Sequence, residues 1–127
     1  MAVRHYRELL VWQKSMDFTI AIYHATESFP KSETYRLCDQ LRRAAISIPS
    51  NIAEGQGRRS TRDFLKHLSY SVGSLHEAET QILLSTRLQY FTATTEDSLL
   101  SAAAEIGRML SGLVAALEKR MSDTPPS

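Results

Sequence analysis

The feature that most constrains the fold is a set of apolar stripes repeating at steps of three and four residues, separated by short interruptions. Leu9, Trp12, Met16, Ile20 and Tyr23 keep this spacing in the first segment, which places them on one face of a 3.6-residue helix. In the second, Leu37, Leu41, Ala45, Ile48 and Ile52 do the same and pass through Pro49 without losing phase. A third stripe runs through Leu65, Leu68, Val72, Leu75, Ile82 and Thr86, with Glu79 on it, and a fourth through Leu99, Ala103, Ile106, Leu110, Leu113 and Leu117. No period-2 alternation competes with them.

Punctuation between the stripes sets the boundaries. Pro30 stops the first helix, and Ser32 with Glu33 is a start signal for the second; Gly55 and Gly57 break the pattern. Ser60 with Asp63 resembles a capping box, and Thr94 with Asp97 offers the next cap. Helices are therefore expected over about residues 7–27, 33–55, 61–88 and 96–120. Because Pro49 removes the bond to the Ala45 carbonyl and crowds that turn, helix 2 is expected to be kinked there while remaining one helix. Segments of about 20 to 25 residues, roughly 30 to 37 Å long, joined by short connections, specify an all-α fold: an antiparallel up-down-up-down four-helix bundle. A single domain over residues 1–121 is expected, followed by a flexible C-terminal tail, "SDTPPS", at 122–127.

Helix 1 carries a second apolar line at Val11, Phe18 and Ile22. Either the core-facing stripe is wide, or a further surface is buried in a homo-oligomer.

A chain of 127 residues can bury a core without cross-links. Its one cysteine, Cys38, excludes an internal disulfide and fits a reducing cytoplasm; as a lone thiol with no sequence-local base it reads as a buried structural residue. The start "MAVRHYRELLVWQKS" lacks the apolar core of a signal peptide, and no run approaches the roughly 18 apolar residues of a membrane span. A cytoplasmic protein without membrane contact is expected.

Sites of chemistry are sparse. No glutamate is followed three residues later by histidine, the pairing that builds di-metal centres in bundles. "HEAET", His76 to Thr80, lacks the second histidine of a zinc-protease signature. His5, His24 and His67 have no ligand-spaced companions and read as ordinary surface or interface residues. No catalytic residue, metal site or cofactor is expected. "GQGRRST", Gly55 to Thr61, matches neither nucleotide-binding glycine motif, yet it puts an arginine pair beside the start of helix 3, where a phosphate could be held. The alternative is a plain turn with solvated arginines.

Net charge is +1, unevenly spread. Residues 36–66 hold seven Lys/Arg against three acids, so that segment is +4 and the remainder −3. Arg42, Arg43, Arg58, Arg59, Arg62 and Lys66 are the candidate contacts for a nucleic-acid backbone.

"LLVWQKS", then "FP", then "LCDQLRRAAISIPSNIAEGQGRRS", then "FLKHLSYSVGSLHEAETQI" resembles the bacterial four-helix-bundle family that includes the 23S rRNA intervening-sequence proteins and the accessory variability proteins of diversity-generating retroelements. The resemblance runs from about Leu9 to Leu117, is most specific over Gln40 to Gly55, and recurs at Gly73, Ser74, Leu75 and Glu77. It implies a ring-shaped homopentamer without known catalytic activity. In retroelement members it implies binding of nucleic acid and a reverse transcriptase through a strongly basic surface, from which the near-balanced charge of this chain departs. Within the shared blocks, Asn51, Glu54, Ser74 and Glu77 are expected to form a structural polar cluster across helices 2 and 3. It would satisfy backbone groups loosened by Pro49, or pair Glu54 with Arg43 or Arg62.

Two function classes follow. One is a non-enzymatic homo-oligomer binding RNA or DNA; the other is an oligomeric scaffold for a protein partner, a reverse transcriptase or another.

Overall fold

The computed structural model describes residues 5–123. Among them are four long helices and no strand: α1 (Leu10–Thr26), α2 (Leu37–Gln56), α3 (Thr61–Arg87) and α4 (Ala93–Asp123). A short 3-10 turn, Tyr6–Glu8, precedes α1, and another, Lys31–Glu33, precedes α2. Residues 122 and 123 of the expected tail belong to α4, and 124–127 lie outside the described residues, as do 1–4.

The helices form a four-helix bundle in which each packs on its sequence neighbour and α1 also meets α4. Partners occur in opposite order along facing helices: Thr19 with Ala45 and Thr26 with Arg42 between α1 and α2, Asn51 with His67 and Gln40 with Gln81 between α2 and α3. The core contains Phe18, Ile22, Leu41, Ile48, Ile52, Leu68, Ile82, Ile106 and Leu110, all at most 2% exposed. Taking a large apolar side chain fully out of water stabilises by about 1.5 to 3 kcal/mol, which outweighs the modest propensity differences between residues.

The stripes of α2 and α4 face the core as their spacing requires. On α1 the inward face is different from the expected one. Val11, Ser15, Phe18, Ile22 and Thr26 are buried, whereas Met16, Ile20 and Tyr23 are 38%, 53% and 38% exposed. The physical reason lies in two hydroxyls. Ser15 donates to the Val11 carbonyl at 2.7 Å and Thr26 to the Ile22 carbonyl at 2.8 Å, so both polar groups are satisfied within the helix and cost little to bury. The line Val11, Phe18, Ile22 is the core face; of the other line, Leu9 and Trp12 are partly buried against the core, while Met16, Ile20 and Tyr23 face outward.

Helix α2 runs unbroken through Pro49. Pro49 has no N–H to give the Ala45 carbonyl, and that oxygen instead accepts from Thr19 of α1 at 3.1 Å. The Thr19 hydroxyl also donates to the Ser15 carbonyl at 2.8 Å, so a single proton serves both acceptors. From the other side Ser71 of α3 donates to the Ile48 carbonyl at 2.9 Å. The turn at Pro49 is thus held from two neighbouring helices.

Two helix starts differ from expectation. Ser32 and Glu33 form a 3-10 turn and α2 begins at Leu37, because Glu33 is drawn away: its carboxylate accepts the Tyr90 hydroxyl at 2.8 Å. Helix α4 begins at Ala93, with the Thr92 hydroxyl accepting the Thr95 N–H at 3.1 Å, so Thr92 caps it and Thr94 with Asp97 do not. Phe29 lies 5.2 Å from Tyr90 and 5.1 Å from Phe91 by ring centroid. These rings and the Glu33 bond fasten the α1–α2 and α3–α4 connections to one another.

At the opposite end α2 reaches α3 through a four-residue link, 57–60, made possible by Gly55. A Cβ there would come within 2.7 Å of His67 Cβ and 2.9 Å of Phe64 Cδ1. Gly55 is buried inside the helix; it is needed for the close approach of α3, while the helix ends one residue later, at Gln56.

By length and composition α4 could cross a membrane. Its apolar side chains Leu99, Ala103, Ile106, Leu110 and Leu117 are buried in the bundle, however, and exposed positions hold Ser98, Ser101, Ala104, Arg108, Ser111 and Lys119.

Candidate nucleic-acid interface

The six candidate cations separate into three groups. Arg42 belongs to the fold: half-buried, it donates to the Thr26 hydroxyl at 2.8 Å and the Tyr23 carbonyl at 3.3 Å, and its guanidinium lies 4.5 Å from the Tyr23 ring centroid. Donors committed in this way are not available to a phosphate. Arg43 is exposed but pairs with Asp39 one turn earlier at 2.9 Å.

Arg58, Arg59, Arg62 and Lys66 make the third group. All four are exposed, and none of their side chains has a hydrogen-bond or ion-pair partner among the described residues. They follow one another through the α2–α3 link and the first turns of α3. Ser60 caps that helix by accepting the Asp63 N–H at 3.1 Å, and the positive end of the helix dipole adds to the field.

Arg58 and Arg59 also line a cleft of about 360 Å³ at this end of the bundle. Its other walls include Ser60, Thr61, Phe64, Leu9, Leu113, Leu117 and Arg120. Sequence reasoning named the arginine pair but missed the cleft, since Leu9, Leu113 and Arg120 come from distant parts of the chain.

The polar cluster exists in altered form. Asn51 Nδ2 donates to the Ser47 carbonyl at 2.9 Å and to Ser47 Oγ at 3.0 Å, and Ser74 donates to Ser47 Oγ at 2.8 Å. Asn51 Oδ1 lies 3.2 Å from His67 Nδ1, which is 3.6 Å from a Glu54 carboxylate oxygen. Glu54 therefore meets His67 and neither Arg43 nor Arg62. Glu77 stands apart, making a long 3.4 Å contact with Gln81, which makes another with Gln40. The Ala45 carbonyl freed by Pro49 is served by Thr19, outside the cluster. Ser47 and His67 were the members not foreseen; the side chain of His67 is 14% exposed, and its partners become visible only once α3 is folded back on α2.

Cys38 is buried. Among the described residues no three His, Cys, Asp or Glu side chains gather as a metal would need; what the α2–α3 end offers is charge and shape.

The chain matches the family model described as 23S rRNA-intervening sequence protein over residues 7–112. A crystal structure from Bacteroides thetaiotaomicron VPI-5482, described as a protein with unknown function from the S23 ribosomal protein family, superposes with a TM-score of 0.77 at 24% identity. The alignment covers 84% of this chain and 96% of that one, and at such identity it establishes the shared fold. No curated protein matches the chain. With a family model spanning most of its length and a solved relative sharing the bundle, the chain belongs to the 23S rRNA intervening-sequence protein family.

Proposed function

We propose that this protein is a cytoplasmic, non-catalytic homo-oligomer, a pentamer by family resemblance, that binds the phosphate backbone of RNA or DNA. Arg58, Arg59, Arg62 and Lys66 are the contacts. One observation carries the reading: four cations without a side-chain partner among the described residues, against a single acid, Asp63, between residues 58 and 66. Arg42 and Arg43, being engaged, are outside the contact set. The family model's description, which names a ribosomal RNA insertion, fits a nucleic-acid partner.

The oligomer reading is supported by the outer face of α1. Met16, Ile20 and Tyr23, with Ile46 of α2 at 41% exposure, flank an apolar groove of about 320 Å³ lined by Trp12, Met16, Ile46, Pro49 and Ala53. Such a row on a small bundle is the kind of surface another subunit covers.

Fluorescence anisotropy with structured RNA, single-stranded DNA and duplex DNA at about 50 and 200 mM salt tests the proposal, since each phosphate contact releases a counterion. Affinity should fall steeply between the two salts, and the Arg58→Gln/Arg59→Gln variant should bind more weakly with a shallower salt slope. No binding at the lower salt would overturn the reading. A second reading, an oligomeric scaffold for a reverse transcriptase or another protein, is favoured by Leu83, Leu84 and Leu88, each about 45% exposed near the end of α3. Pull-down after nuclease treatment separates the two, because only a protein partner stays bound.

A further inference from the structure

The cleft at the α2–α3 end joins two kinds of surface that backbone binding alone does not require. Its lining combines the exposed Arg58, Arg59 and Arg120 with an apolar side formed by the partly buried Leu9, Phe64 and Leu113 and the buried Leu117. A phosphate on a duplex exterior would meet the arginines but leave the apolar wall bare. An uncharged apolar ligand would leave Arg58 and Arg59, which have no side-chain partner among the described residues, unpaired. A ligand that satisfies both walls carries an anionic group on a flat, largely apolar body within about 360 Å³. A single nucleotide has this chemistry, and pockets from about 300 Å³ upward hold ligands of that size.

Local geometry adds donors at the same place. The Phe64 N–H bonds the Ser60 carbonyl at 3.1 Å and the Asp63 N–H bonds the Ser60 hydroxyl at 3.1 Å. The preceding N–H groups of α3, at Thr61 and Arg62, have no intrahelical acceptor. Thr61 lies in the cleft wall beside the two arginines.

Resting on the nucleic-acid reading above, we propose that the cleft receives the terminal phosphorylated nucleotide of a single strand. The phosphate meets Arg58, Arg59 and the start of α3, and the base lies against Phe64 and Leu113. Only an unpaired nucleotide can enter, because a paired base is held in its stack. The protein would therefore recognise strand ends in addition to backbone charge.

The test uses the full chain and fluorescent RNA strands of about ten nucleotides bearing either a 5′-phosphate or a 5′-hydroxyl, with a blunt hairpin as third ligand. Roughly tenfold tighter binding of the phosphorylated strand is expected, the worth of one or two charge-assisted hydrogen bonds. Adenosine monophosphate should compete better than adenosine or inorganic phosphate. Arg58→Gln/Arg59→Gln should erase the preference for phosphorylated ends. Arg62→Gln/Lys66→Gln should weaken all three ligands by a similar factor, and Leu113→Gln should weaken competition by adenosine monophosphate without changing the salt slope. Equal affinity for all three ligands would overturn end recognition while leaving backbone binding intact. No binding of any ligand would overturn both.

Discussion

Gly55 and Gly73 are both helical, and they call for opposite outcomes on substitution. Gly55→Ala would drive a methyl group into His67 and Phe64, and overpacking of this kind costs about 1 to 3 kcal/mol. Gly73→Ala meets nothing within 4 Å and should stabilise α3 by about 0.5 to 1 kcal/mol through helix propensity. Urea unfolding of both variants checks the pair, and equal effects would contradict the geometry. Gln89 has a φ of 67° and occupies the left-handed position that ends α3, where the Tyr90 N–H bonds the Ser85 carbonyl at 2.8 Å and the Gln89 N–H bonds that of Thr86 at 2.9 Å. Glycine is the usual residue there. Gln89→Gly should therefore raise the thermal midpoint by a few degrees, a gain of about 1 kcal/mol. At this scale the sequence is only partly legible. Gly55 reads as a helix breaker from its type alone; its actual role depends on how closely α3 approaches, which no local pattern encodes.

Among elements, the junction of α1 with α2 at Pro49 is the most informative. Thr19→Val removes the donor to the Ala45 carbonyl and should cost about 1 to 2 kcal/mol, as expected when a buried acceptor loses its partner. Pro49→Ala restores the backbone N–H to that carbonyl. The cost of Thr19→Val should therefore shrink in the Pro49→Ala background, and a double-mutant cycle showing strict additivity would refute the link. At the other end of the bundle the Tyr90 phenol is shifted above its ordinary pKa, first by its hydrogen bond to Glu33, then by burial and by the Glu33 charge. A raised folded-state value means the contact stabilises fully below the unfolded tyrosine pKa of about 10 and is lost as pH rises through the folded one. The stability difference between the wild type and Tyr90→Phe should accordingly shrink over that alkaline range in unfolding measurements. Continuity of the α2 stripe across Pro49 was legible because phase is a local property. The inward face of α1 was not, because Ser15 and Thr26 count as polar until their hydroxyls are seen bonding the preceding turn.

For the whole molecule, four stripes and short links were enough to read an all-α four-helix bundle, and the blocks around Pro49 were enough to name the family. The candidate site was half legible: the sequence supplies which residues are cationic, while engagement of Arg42 by Tyr23 and Thr26 and of Arg43 by Asp39 is decided by packing and helix register. Assembly is the property to test at this scale. Ile20→Glu with Ile46→Glu places charge on exposed positions of the α1–α2 face and should lower the mass seen by light scattering while leaving the helical circular dichroism intact. An unchanged mass, or a monomeric wild type at micromolar concentration, would remove that face as an interface.

The two ends of the bundle are unlike. One is closed by Phe29, Tyr90 and Phe91 with the Glu33 bond, and the other bears the cleft with Arg58 and Arg59. Rotation about a single axis never turns a subunit over, so every copy in a cyclic assembly holds its arginines at the same height. In the proposed ring, with the bundle axes along the ring axis, the particle would have a front and a back: a polyanion would be met from the side that bears the arginines, and the reverse side would stay open to a different companion.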